Sequence, residues 1–187
     1  MRKIKKYLKI HGGELNSRKV FFYQRSNLRP LTGRWRQVIS DKFNDLEGKN
    51  VADLFAGSGI WGISMLSNRA KHVVFFEKDA RSLRAIRENL IDLKVTQGRY
   101  SMVYGSLPHS LQTSESSFDL ICCDPPFKNL DLGSEVLKSC QNLVKRQTTL
   151  VCRWPNKISL PKLYNLELVQ KIEHGNESLN FFNLKNV

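Results

Sequence analysis

Between residues 50 and 155 short apolar runs alternate with stretches of helical periodicity, and this alternation leaves few folds open to the chain. "VADLF" (51–55), "HVVFFE" (72–77), "YSMVYG" (100–105), "FDLICC" (118–123) and "TTLVCRW" (148–154) read as strands. Between them "IWGISMLSN" (60–68), "ARSLRAIRENLIDL" (80–93) and "LDLGSEVLKSCQNLVKR" (130–146) carry helical spacing. In the second helix Leu83, Ile86, Leu90 and Leu93 share one face and the arginines lie outside it. The strand runs are too apolar for a sheet with one wet face, so a mostly parallel sheet covered by helices on both sides is expected. The end of the chain departs from the pattern. "NLELVQKIE" and "LNFFNLK" flank a turn containing Gly175 and Asn176, which predicts a closing antiparallel hairpin.

The first forty residues read as a small element of their own. Tyr7 to His11 and Lys19 to Tyr23 are strand candidates on either side of "GGELNS", whose Gly12, Gly13, Asn16 and Ser17 supply turn chemistry. In "NLRPLTGRWRQ" Pro30 stiffens the approach to a helix and Thr32 is placed to cap it. Trp35, Val38, Ile39, Phe43 and Leu46 recur at helical spacing, and Gly48 can end that helix.

Charge divides the chain at the same place. Residues 1–40 hold 11 Lys or Arg and one acid, Glu14, whereas residues 41–187 hold 19 basic and 16 acidic residues, for a total of +13. A basic extension, residues 1–40, thus precedes a nearly neutral domain, residues 41–187. Cations concentrated in this way suit a polyanion, because releasing counterions from a phosphate backbone supplies affinity whatever the base sequence. No run approaches the roughly 20 apolar residues that span a bilayer, and "MRKIKKYLKIHGGE" lacks the apolar region of a signal peptide. A cytoplasmic protein is expected. Cys122, Cys123, Cys140 and Cys152 make no C-x-x-C pair and read as buried free thiols, and the four histidines are scattered, so no metal site is expected.

Two motifs carry chemistry. "DLFAGSGIWG" (53–62) lies between the first core strand and its helix, where Gly57 and Gly59 allow a tight turn against a ligand and Gly62 a close helix packing. Glu77, an acid ending the next strand, is positioned to hold ribose hydroxyls. A helix N-terminus can take a dinucleotide pyrophosphate. Asp53 points elsewhere, since an acid at the strand end repels phosphate and suits a cation such as S-adenosylmethionine. The second motif, "DPPF" (124–127), stops an apolar strand with two residues that donate no backbone hydrogen bond.

"DLFAGSG", "FFEKD" and "DPPF", in this order and at these separations, resemble a Rossmann-like class I S-adenosylmethionine-dependent methyltransferase of the amino-group type. "KIHGGELNSRKV" followed by "LRPLTGRWRQVISDKF" is similar to the opening of the RsmD family, which methylates the exocyclic N2 of a guanine in 16S ribosomal RNA. Leu31, Gly33 and Gln37 stand where that family has Thr, Asp and Glu. Ser106 stands where an Asp or Asn commonly touches the adenine.

The resemblance implies a seven-stranded, mostly parallel sheet with a terminal antiparallel hairpin and a small basic N-terminal hairpin. It implies S-adenosylmethionine held by Asp53, Phe55, Ala56, Gly57, Ser58, Gly59, Glu77, Lys78, Ser106 and Asp124. The reaction would fall to Asp124, Pro125, Pro126 and Phe127: Asp124 and the Pro125 carbonyl accept the amine hydrogens, and Phe127 stacks on a base drawn out of its helix. Arg18, Lys19, Arg29, Arg34 and Arg36 are expected to meet RNA phosphates, with the small ribosomal subunit or its precursor as partner and a monomer as the enzyme. Two alternatives stay open at this point: methylation of adenine N6 or cytosine N4 in DNA or RNA, and a catalytically silent RNA-binding assembly factor with the same fold.

Overall fold

The computed structural model describes residues 4–24, 30–112 and 117–185. Among the described residues nine strands and five α-helices follow in the order β1 (Lys5–Lys9), β2 (Lys19–Tyr23), α1 (Gly33–Lys42), β3 (Asn50–Leu54), α2 (Ile60–Ser67), β4 (His72–Glu77), α3 (Ala80–Asp92), β5 (Tyr100–Tyr104), α4 (His109–Gln112), β6 (Leu120–Cys123), α5 (Leu130–Cys140), β7 (Thr149–Pro155), β8 (Leu166–His174) and β9 (Glu177–Leu184). Seven strands make one sheet in the order β5-β4-β3-β6-β7-β9-β8, and β1 and β2 make a separate hairpin. The first five strands of the large sheet pair in parallel, and β9 joins antiparallel to both β7 and β8. The expected architecture is the one observed.

Side-chain alternation divides the core in two. Val51, Val73, Phe75, Cys122 and Val151 face α1, α2 and α3, while Ala52, Leu54, Phe76, Ile121, Cys123 and Cys152 face α4 and α5. Each of these strands is therefore apolar on both sides, as strands covered by two helical layers must be. All four cysteines are free and buried in this core.

The expected helix ends shift where other side chains intervene. α1 stops at Lys42 instead of running on toward Gly48, because the Asn68 amide donates to the Phe43 carbonyl at 2.7 Å and to the Ser40 carbonyl at 3.2 Å. A helix whose last carbonyls are satisfied from outside has no need of a further turn. Leu46, placed on the helical face by its spacing, lies beyond α1 and is still buried. α5 likewise ends at Cys140, and the following turn is pinned by Thr148, whose hydroxyl donates to the Phe118 carbonyl at 2.7 Å and accepts from the Lys145 N–H at 3.1 Å.

A boundary at residue 40 does not divide the packing. α1 crosses it, and Trp35 and Ile39 sit in the same buried cluster as α2 and α3. The hairpin is tied to the domain as well. Asn89 on α3 accepts from the Phe21 N–H at 2.9 Å and donates to the Phe21 carbonyl at 2.7 Å.

The hairpin loop docks even more closely. Gly12 and Gly13 have φ of +72° and +66°, and a Cβ on Gly13 would lie 2.0 Å from the Ser67 carbonyl oxygen. That carbonyl accepts from the Glu14 N–H at 2.8 Å, and the Ser67 hydroxyl donates to the Gly12 carbonyl at 2.7 Å and accepts from the Leu15 N–H at 2.9 Å. The glycine pair thus serves a backbone-to-backbone contact with the end of α2. Gly13→Ala, which meets both the positive φ and the carbonyl, should cost about 3 kcal/mol and lower the melting temperature by roughly 6–12 °C. Thermal unfolding of the variant within a degree of wild type would show that the loop yields.

Candidate active site

Register brings the two motifs together. Leu54 pairs with Phe76 on one side and with Cys123 on the other, so β3, β4 and β6 end in one row. The order of the strands reverses between β3 and β6, and in open parallel sheets that reversal opens a crevice at the C-terminal edge. A cleft of about 980 Å³ lies there, lined by the loop after β3, the ends of β4 and β5 and the Asp124–Phe127 segment after β6.

The loop after β3 turns through three residues with positive φ, Phe55, Gly57 and Gly59. Glu77 braces it: one carboxylate oxygen accepts from the Gly57 N–H at 2.8 Å and the other from the Asp79 N–H at 2.9 Å. Asp53 is buried beneath the loop and accepts from the Gly62 N–H at 2.9 Å. A Cβ at Gly62 would lie 2.9 Å from that carboxylate and 2.3 Å from the Phe75 ring, so glycine is required for α2 to approach the strand.

Across the cleft the "DPPF" segment forms a shelf. The Asn129 N–H donates to the Pro126 carbonyl at 2.8 Å, and the Asn129 side chain caps α5 by accepting from the Leu132 N–H at 3.2 Å. Gly133 leaves room for it, since a Cβ there would be 2.9 Å from the Pro125 ring. Asp124 does not stand alone. Arg153 Nε on β7 donates to its Oδ1 at 2.7 Å, and Arg153 Nη1 donates to Glu177 Oε2 at 3.3 Å.

Asp53, Glu77 and Asp124 therefore line one cleft, together with Asp79 and Glu177. Burial pushes the Asp53 carboxyl up to about 8; the Gly62 N–H works against this shift, and the charges of Asp124 and Glu77 add to it. Burial also raises Asp124 above the ordinary carboxylate range, opposed by the Arg153 guanidinium. The guanidinium is held in its charged form by its two acids against its own desolvation.

Residues 8–183 match the family described as Conserved hypothetical protein 95. The chain belongs to this family. YlbH of Bacillus subtilis is 25% identical over 175 residues, which cover 90% of this chain and 94% of that one. Ribosomal RNA small subunit methyltransferase D of Haemophilus influenzae is 29% identical over 142 residues, 72% of each chain. Among solved structures yhhF of Escherichia coli superposes with a TM-score of 0.80 at 22% identity, covering 96% of this chain and 99% of that one. The fold is thus the Rossmann-like class I methyltransferase fold, and the resemblance to the RsmD family read from motif order is borne out.

Most of the residues that the motifs point to lie at the cleft: Asp53, Phe55, Ala56, Gly57, Ser58, Glu77, Lys78, Ser106 and Asp124–Phe127. Gly59 lies behind the loop, where a Cβ would meet Ile86 at 2.6 Å. Of the basic residues, Lys19 and Arg34 are exposed. Arg18 is exposed too, and reaches the Asp92 carbonyl at 3.4 Å. Arg36 is half-buried and donates to the Lys9 carbonyl at 3.0 Å and to the Leu31 carbonyl, so it joins the hairpin to α1. Arg29 lies outside the described residues. Arg153 and Glu177 also line the cleft, and the motifs do not include them. The available signal was a lone charge inside the apolar run "TTLVCRW".

The Asp53 carboxyl makes stability depend on pH. Its folded value of about 8 stands above the ordinary 3.8, so across that window the folded state keeps a proton the unfolded chain has lost, and stability falls as pH rises until it levels off above 8. Asp53→Asn keeps an acceptor for the Gly62 N–H and has no proton to lose. It should be more stable than wild type at pH 9 by a few kcal/mol, on the order set by such shifts, with the gap closing toward pH 4. Denaturant titrations at pH 5, 7 and 9 that run parallel for the two proteins would rule this out.

Proposed function

We propose that this protein transfers a methyl group from S-adenosylmethionine to the exocyclic N2 amine of a guanine in small-subunit (16S) ribosomal RNA. The observation that carries the reading is that the glycine loop after β3 and the Asp124–Phe127 shelf open into one cleft. Family membership and relatives named for ribosomal RNA methylation support it.

The residues present fit the cofactor. Asp53, Glu77 and Asp124 converge on a cleft where burial, with the charges of Asp124 and Glu77 adding to it, holds Asp53 neutral, and a cation placed among them would favour the charged carboxylates. The Trp61 indole N–H is buried at the same cleft without a partner among the described residues, a donor suited to the cofactor's carboxylate. Glu77 accepts one backbone bond at each oxygen and retains lone pairs for ribose hydroxyls. Phe55, Ala56, Gly57 and Ser58 wall the loop side, with Lys78 and Ser106 at the rim.

Bound S-adenosylmethionine would supply a methyl carbon on a cationic sulfur, with a neutral thioether as the leaving group. The chain's own work is alignment. A guanine amine is a poor nucleophile because its lone pair is delocalised into the ring. The Asp124 carboxylate and the Pro125 carbonyl accept its two hydrogens, which favours a pyramidal nitrogen with the lone pair aimed at the methyl group. Two prolines keep both acceptors in register, and Phe127 stacks on the extruded base. After transfer the surplus proton leaves through Asp124. Holding the reacting atoms in line is worth up to roughly 7–11 kcal/mol.

Asp124→Ala should reduce methyl transfer by about 10³-fold or more and change RNA binding less than threefold. The measurement is transfer of labelled methyl to naked 16S ribosomal RNA and to assembled small subunits, with the modified nucleotide mapped by mass spectrometry. Label on adenine N6 or cytosine N4 would overturn the guanine reading, and a wild-type protein that labels neither substrate would overturn the enzyme. Phe127→Ala should lose activity as well; an unchanged rate would remove stacking from the mechanism.

A further inference from the structure

Arg153 is the only charged residue of β7, and its side chain is 6% exposed. Burying an ion pair rarely stabilises a core more than apolar packing of the same volume would, and Val151, two residues earlier on the same face, shows what the position otherwise holds. The guanidinium instead spends its geometry on the shelf. Nε donates to Asp124 Oδ1 at 2.7 Å, Nη1 donates to Glu177 Oε2 at 3.3 Å, and Cζ lies 4.9 Å from the centroid of the Phe127 ring. Glu177 Oε2 also accepts from the Trp35 indole N–H on α1 at 2.9 Å. A planar fork fits two acids and a ring face at once in a way an ammonium cannot.

We propose that Arg153 is a positioning residue for the transfer step: it fixes the rotamer of Asp124, leaves Oδ2 as the oxygen that receives the amine, and covers one face of Phe127 so that the base stacks on the other. Glu177 and Trp35 hold Arg153 in turn. The series Trp35–Glu177–Arg153–Asp124 runs from α1 through β9 and β7 to the shelf, so the seating of α1, the helix joined to the basic hairpin through Arg36, is read at the carboxylate. This rests on Asp124 being the acceptor of the amine hydrogen.

The test compares Arg153→Met, Arg153→Lys, Glu177→Gln and Asp124→Ala for methyl transfer to ribosomal RNA across pH, alongside calorimetric binding of S-adenosylmethionine and thermal unfolding. Arg153→Met should lower kcat by about 10²-fold, the scale of an angstrom-level misalignment, with KM for RNA and cofactor affinity within threefold of wild type. The acid limb of its kcat profile should move up by about one pH unit, because the cation that favours ionised Asp124 is gone. Arg153→Lys should recover part of the loss, and Glu177→Gln should lose less than Arg153→Met while shifting the limb the opposite way, because the Glu177 charge raises the Asp124 carboxyl. If Arg153→Met does not fold, the lysine and glutamine variants carry the same comparison. Wild-type kcat and an unmoved acid limb in Arg153→Met, or in both other variants, with Asp124→Ala inactive, would overturn the positioning role alone. An inactive wild type or an active Asp124→Ala would instead overturn the reaction on which it rests.

Discussion

Lateral backbone pairing of β3 with β4 and β6 is the constraint that the site depends on. It sets Leu54, Phe76 and Cys123 side by side, so that the next residues of three separate segments leave the sheet at a common rim. A slip of one residue in either pairing would carry Asp53 or Asp124 to the opposite face, because side chains alternate with a period of two. The apolar alternation that divides the core between two helical layers resists that slip, since each strand would have to exchange its buried partners on both sides at once.

Much of the fold could be read from the sequence for this reason. Strands buried on both faces leave continuous apolar runs, and α2, α3 and the glycine loop follow from spacing and turn chemistry. Helix ends were harder. α1 stops where Asn68, from a distant part of the chain, satisfies its carbonyls, and no local pattern announces a cap supplied by tertiary contact. The four-residue α4 (His109–Gln112) is too short for a periodic signature.

The site divides in the same way. Asp53, Glu77 and "DPPF" stand at strand ends, where an acid or a proline interrupts an apolar run and so stands out. Arg153 and Glu177 act across strands, and their meaning comes from the antiparallel registry of β7 with β9, which pairs Arg153 with Leu179 and Pro155 with Glu177. Gly133 was hidden for a different reason: in a helix it reads as a weak spot, and only the Pro125 ring against it explains why a side chain is excluded.

Gly12 and Gly13 carry a consequence beyond their backbone angles. Because they weld the hairpin loop to the end of α2, while Asn89 clamps β2 and Arg36 bolts β1 to α1, Lys19 is carried on a rigid bracket rather than a floppy leader. A bracket measures. The spacing between the exposed Lys19 and the cleft is built into the protein, set by the fold itself and not by whatever the hairpin meets.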